Sequence, residues 1–295
     1  MDGSQFHSAE PHMRSLPDPA PIGHLSPPLQ QLVATERPEP VFLPGLFETP
    51  HVWADIIHRL DLADPLCLDL PGHGAADRRE RLRPKLRIDT WLDAAARSIE
   101  QRHGNKGVVL VGHSTGGLLA LALAARRPEL VSGLFLVGAL TSGHRGRRFD
   151  PCARAMMLPG IGRPLARLFW SAWLRTPARF RRGLDAAAGM ALDAPWAEDM
   201  RRALLGCDPD AVSACVEWVL TADIGHLLER VDAPVLSLIG TRDIVVPPHH
   251  QLELIRKAPK AQAMLIDGGH LLFAESPGDV ATALRGWLQH CGRIA

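Results

Sequence analysis

The stretch GVVLVGHSTGGLLALALAA, residues 107–125, decides how the rest of the chain reads. Val108 to Val111 is a short β-branched apolar run of the kind that forms a strand buried on both faces. From Leu118 the Leu/Ala-rich composition predicts a buried helix. Between them, Gly112-His113-Ser114-Thr115-Gly116 is a G-x-S-x-G pattern in the strand–turn–helix setting that gives the pattern its meaning. A turn this sharp leaves no room for a side chain at either glycine and presents Ser114 at its tip, which predicts Ser114 as a nucleophile. At the amino end of the helix, unpaired N–H groups and the helix dipole favour developing negative charge. The Thr115 N–H then points where an oxyanion would form.

Working outward, alternating elements surround this stretch. Residues 40–43 read as a strand, His51 to Leu60 as a helix, Leu66 to Leu70 as a second strand, 75–87 as a charged loop, and Thr90 to Arg102 as an amphipathic helix. A further strand, Gly133 to Gly138, follows the Ser114 helix. From about 139 to 230 the alternation stops and the composition turns helical, with Leu165, Leu168, Phe169 and Trp173 spaced as one apolar face and further helices over Met190–Leu205 and Ala211–Leu220. It resumes with a strand from Ala233 to Gly240, a helix from His249 to Ala258, a strand from Ala261 to Ile266 and a closing helix, Pro277 to Cys291. The expected fold is α/β, a mostly parallel sheet covered by helices on both faces, with chemistry at the carboxyl ends of its strands. The expected division is a Pro-rich arm at 1–39, a core at 40–140 and 231–295, and a helical lid at 141–230.

Hydrophobic content of 46% with 22% charged residues is ordinary for a globular chain of 295 residues, and a formal net charge of +1 excludes a generally basic nucleic-acid binder. Five scattered cysteines without a C-x-x-C suggest neither a disulfide framework nor a zinc site, so no metal or cofactor is expected. Residues 1–5 lack a basic or apolar leader region, and no apolar run approaches the roughly 20 residues of a membrane span, so the expected location is the cytoplasm.

A serine hydroxyl is a poor nucleophile near neutral pH and needs a base, usually a histidine oriented by a carboxylate. In the order Ser, Asp/Glu, His at one sheet edge, Asp243 and His270 qualify: Asp243 follows the Ala233–Gly240 strand and His270 follows the last one. With Asp69-Leu70-Pro71-Gly72-His73-Gly74 added, the chain resembles the α/β-hydrolase family over roughly residues 40–140 and 231–290. The resemblance implies Ser114 as nucleophile, His270 as general base then acid, and Asp243 as the group orienting it. It also implies the Leu46 N–H as a second oxyanion donor. Here the chain departs from the family, which commonly has His-Gly where this sequence has Pro44-Gly45, so the loop's supporting hydrogen bonds must differ. The pair of strands usual before the first is degenerate or absent. The strand after the nucleophile helix ends in Gly138-Ala139-Leu140 without a carboxylate, which favours Asp243 as the acid. His113 reads as a packing and turn residue or a substrate contact. Asp69 and His73 read as structural or rim-lining, and His249 and His250 as solvated helix-start residues.

Serine at 114 points to acyl chemistry. The expectation is a serine hydrolase cleaving a carboxylic ester through an acyl-enzyme. The alternative is a thioesterase or acyltransferase acting on acyl carrier protein or coenzyme A conjugates, and a non-catalytic ligand-binding member of the fold is a third reading. Between Arg145 and Arg182 lie ten arginines and one acid, with Arg175, Arg179 and Arg182 expected on one helix face. An acidic carrier or phosphate-bearing donor would suit them, and a merely solvated surface would look the same. Phe47, Met157, Phe169 and Trp173 are expected to line an acyl pocket.

Overall fold

The computed structural model describes residues 37–74, 88–143 and 162–294. Most of the expected arm, the 75–87 loop and residues 144–161, with Met157 and Arg145, Arg147, Arg148 and Arg154, lie outside the described residues.

Five strands, β1 (Pro40–Leu43), β2 (Val108–His113), β3 (Val131–Val137), β4 (Val235–Gly240) and β5 (Ala261–Ile266), pair in that order, all parallel. Parallel neighbours need crossovers, and helices supply them. These are α1 (Ala54–Arg59) and α2 (Ile88–His103) between β1 and β2, α3 (Thr115–Arg126) between β2 and β3, and α8 (Pro248–Lys257) between β4 and β5, while α9 (Leu272–Glu275) and α10 (Pro277–Ile294) follow the last strand. Between β3 and β4 run α4 (Gly162–Leu174), α5 (Pro177–Ala188), α6 (Ala197–Leu205) and α7 (Pro209–Thr221). Because side chains alternate along a strand, each strand feeds two apolar layers. Val41, Leu43, Leu110, Leu134 and Leu136 pack with α2, α3 and α8, while Phe42, Val109, Val111, Phe135 and Val137 pack with Trp53, α10 and the β3–β4 helices. The sheet is thus covered by helices on both faces. Within α3 every residue from Thr115 to Ala124 is buried.

Three sequence expectations need correction. Leu66–Leu70 is not a strand: one bridge, Phe42 with Cys67, and two hydrogen bonds of 2.9 Å hold it beside β1. Pro65 and Pro71 bound it and have no N–H to extend the ladder. On α4 the apolar face is rotated, so that Trp170 and Leu174 are buried while Leu165, Leu168 and Phe169 are exposed. Trp170 buries more area than the Phe169 it displaces. The Met190–Leu205 helix starts only at Ala197, because Gly189 takes a left-handed conformation (φ 74°) that closes α5 and Pro195 interrupts the link to α6.

The extended segment at 66–70 lies on one side of β1 and β2 on the other, so the chain reverses its direction of travel between β1 and β2. In open α/β sheets a ligand usually binds outside the carboxyl ends of the two strands at such a reversal. Pro44–Glu48 leaves β1 there, and Ser114 leaves β2.

Candidate active site

The elbow after β2 is built as its glycines require. A Cβ on Gly116 would stand 2.3 Å from the Pro44 carbonyl oxygen and 2.4 Å from that of Leu43, and one on Gly112 would stand 2.7 Å from the Gly117 Cα. Ser114 sits at φ 49°, ψ −115°, a conformation that costs a non-glycine residue about 1–3 kcal/mol and persists only where its surroundings enforce it. Its N–H is tied to the Val137 carbonyl at 3.0 Å, and it forms the N-terminal boundary of α3.

Asp243 lies just past β4 and His270 just past β5, and the structure brings them together with Nδ1 of His270 2.8 Å from Oδ2 of Asp243. Asp243 is 3% exposed, yet its carboxylate is fully served. Oδ1 accepts the Val245 and Val246 N–H groups at 2.8 Å each, and Oδ2 also accepts the Gln251 side-chain N–H at 2.9 Å. Three N–H donors converge on the carboxylate, an environment that favours its charge, and against a carboxylate Nδ1 of His270 carries its proton toward Asp243. The lone pair of a neutral ring is then on Nε2. Burial pushes the His270 pKa down against the bond to Asp243, and the nearby His113 pushes it further down. Among the described residues no hydrogen bond joins the Ser114 hydroxyl to His270. In unliganded sites such bonds are often long and tighten with substrate.

Two side chains hold the loop after β1, Glu48 and His73. Gly45 donates its N–H to Oε2 of Glu48 at 2.5 Å, and Phe47 donates its own to Nε2 of His73 at 3.2 Å. Between them, among the described residues, the Leu46 N–H is left without a partner, as is that of Thr115. His73 can accept because its other nitrogen donates to the Pro71 carbonyl at 3.0 Å, and burial pushes its pKa down to about 4, so the ring is neutral. His113 is 1% exposed with both nitrogens engaged, Nδ1 with Glu48 at 2.9 Å and Nε2 with the His270 carbonyl at 3.0 Å. It therefore has no polar group to offer a substrate.

Phe47, Trp170 and Trp173 stand in mutual ring contact with centroids 5.7–6.0 Å apart, and Trp173 packs on Phe180 at 4.8 Å. Phe169, expected with them, is 44% exposed and makes no part of this wall. Arg175, Arg179 and Arg182 are exposed but do not share a helix. Thr176 caps the start of α5 and Pro177 begins it, so Arg175 lies in the link. His250, expected in solvent, is buried on the inner side of α8 beside Gln251 and Leu254.

Glu48, Gln251 and Glu275 went unread in the sequence. Glu275 binds the Gly269 and Leu271 N–H groups at 2.5 and 2.9 Å, one on each side of His270. Among the described residues no three of His, Cys, Asp or Glu are grouped to hold a metal ion, and no helix is long and apolar enough to cross a membrane.

A profile of the alpha/beta hydrolase fold matches residues 41–277. The chain belongs to the α/β-hydrolase family and is a hydrolase. It is 31% identical over 260 residues to the pimeloyl-[acyl-carrier protein] methyl ester esterase of Stenotrophomonas maltophilia, covering 86% of this chain and 93% of that one. It is 28% identical to the magnesium-chelatase 30 kDa subunit of Rhodobacter capsulatus, covering 86% and 88%. Among solved structures, a putative aryl esterase from Burkholderia cenocepacia superimposes with a TM-score of 0.66 at 21% identity, covering 87% and 92%, a likeness of fold alone.

Proposed function

We propose that this α/β hydrolase is a serine esterase that cleaves a carboxylic ester through an acyl-enzyme. The observation that carries the reading is the buried Asp243–His270 pair, whose hydrogen bonds support an ionised Asp243 with the free lone pair on Nε2 of His270. Nε2 takes the Ser114 proton as the oxygen attacks the ester carbonyl, and Asp243 stabilises the imidazolium that forms. The carbonyl oxygen becomes an oxyanion facing the Leu46 and Thr115 N–H groups. Collapse breaks the C–O bond, and Nε2 returns its proton to the departing alkoxide. Water then repeats the sequence against the acyl-enzyme, with His270 as base and Ser114 as leaving group.

The helices α4 to α7 serve as a lid in this reading, with Phe47 and Trp173 against the acyl chain. A second feature bears on the substrate. Arg175, Arg179 and Arg182 are exposed on that lid segment, and the relatives include esterases named for an ester carried on acyl carrier protein. An acidic carrier suits these arginines, with attraction that weakens in salt.

The test is a panel of p-nitrophenyl esters of increasing chain length beside matching acyl carrier protein methyl esters and coenzyme A thioesters. Ser114→Ala should abolish turnover of all that the parent accepts. Changing Arg175, Arg179 and Arg182 together to Gln should raise KM about tenfold for the carrier-bound ester and leave the p-nitrophenyl ester unaffected. Equal effects on both would reject carrier docking, and turnover of thioesters alone would favour the thioesterase alternative.

A further inference from the structure

A second buried histidine–carboxylate pair lies beside the first and has no part in the proton transfers above. His113 and Glu48 are 1% and 5% exposed and meet at 2.9 Å. The pair bridges three loops distant in sequence. Glu48 holds Gly45 N–H in the loop after β1, His113 is the last residue of β2, and its Nε2 holds the carbonyl of His270 past β5. A carbonyl oxygen only accepts, so Nε2 of His113 carries a proton. The Glu48 oxygen accepts from Gly45 and faces Nδ1 at 2.9 Å, and with Glu48 as a carboxylate Nδ1 carries one too. The ring is then an imidazolium against a carboxylate. Burial opposes that charge, but Glu48 and the two hydrogen bonds outweigh it and the His113 pKa stands raised.

We propose, resting on the serine-esterase reading, that Glu48 and His113 are a positioning pair: a charged clamp that fixes the Leu46 donor loop and the His270 loop to the Ser114 elbow, and whose cation keeps His270 in its proton-accepting form. The His113 and His270 rings lie 4.6 Å apart, centroid to centroid. The ionisable groups around His270 are Asp243 at Nδ1, His113 on its flank and Glu48 at the other nitrogen of His113, while Glu275 is engaged by the Gly269 and Leu271 N–H groups. Around His113 they are Glu48, His270 and Asp243. A cation on the flank opposes protonation of His270, and Glu48, reaching His270 only across the His113 ring, does not cancel it.

His113→Gln keeps a donor where Nε2 stood and removes the charge. With p-nitrophenyl butyrate, kcat should fall about tenfold at pH 8 with KM unchanged, since misplacing the base and donor loop costs turnover more than binding. The loss should deepen at pH 6, because the acid limb of the profile moves to higher pH once the cation is gone. An equal loss at every pH, or none, would overturn the clamp while Ser114→Ala remains dead. Ser114→Ala at the parent rate would instead sink the esterase reading. Should His113→Gln not fold, ring ¹⁵N NMR of the unaltered protein decides. One buried imidazole should keep both protons at a pH where surface histidines have lost one, and a singly protonated His113 there would overturn the proposal.

Discussion

At the residue scale, the candidate site is a set of buried polar atoms whose partners can be followed atom by atom, and that accounting assigns protons. Oδ2 of Asp243 is shared between His270 and Gln251, whose amide also donates to the Val246 carbonyl at 2.6 Å. Gln251 thus aims the carboxylate. A hydrogen bond to a buried charge contributes about 1.5–3 kcal/mol, so Gln251→Ala should lower kcat/KM about tenfold or more, through kcat, with KM for a small ester unchanged. Steady-state kinetics checks this, and a pure KM effect would mean that Gln251 acts on binding instead. The sequence brought forward Ser114, Asp243 and His270 as candidates because each stands at a strand end in the order the chemistry demands, and the structure pairs the last two. It left Gln251, Glu48 and Glu275 unread because a supporting hydrogen bond leaves no spacing signature: Gln251 looks like any residue of an amphipathic helix. His113 was visible, but its charged partner lies 65 residues away.

At the scale of elements, the elbow is the joint on which β1, β2 and α3 depend. The space a Cβ on Gly116 would need is occupied by the Leu43 and Pro44 carbonyls, which are backbone and cannot rotate aside. Gly116→Ala should therefore destabilise the protein by about 3 kcal/mol or more, read by urea denaturation, and should displace the Leu46 donor loop as well. A loss under about 1 kcal/mol would show that β1 can move away from α3. Strands and helices of the sheet were legible because period and length agreed, as with β5, expected and found at 261–266. The segment between β3 and β4 was legible only as helical. Its described helices α4 to α7 pack on one another and α4 packs on Phe47, so tertiary contact chose the face: Trp170 turned in and Phe169 out, against the spacing.

At the scale of the whole molecule, the buried histidines couple folding to pH with opposite signs. His73, its pKa held down at about 4 by burial, binds a proton more readily in the unfolded chain, where it titrates near 6.5. Its contribution is present above pH 6.5 and is lost as pH falls toward 4, an amount on the order of 3 kcal/mol. His113, its pKa raised, stabilises below its unfolded value, and that contribution is lost as pH rises through its folded one. His73→Gln, whose side-chain oxygen can still accept the Phe47 N–H, should flatten the fall in stability between pH 6.5 and 4, read as the pH dependence of the urea midpoint. An unchanged slope would place the acid sensitivity elsewhere. The proposed esterase chemistry needs a Ser114 hydroxyl activated by His270, and labelling of the intact chain by a fluorophosphonate, mapped by mass spectrometry, tests it most directly. The predicted result is a single adduct on Ser114 that forms far more slowly in His270→Gln. An adduct on another residue, or a labelling rate indifferent to His270, would contradict it.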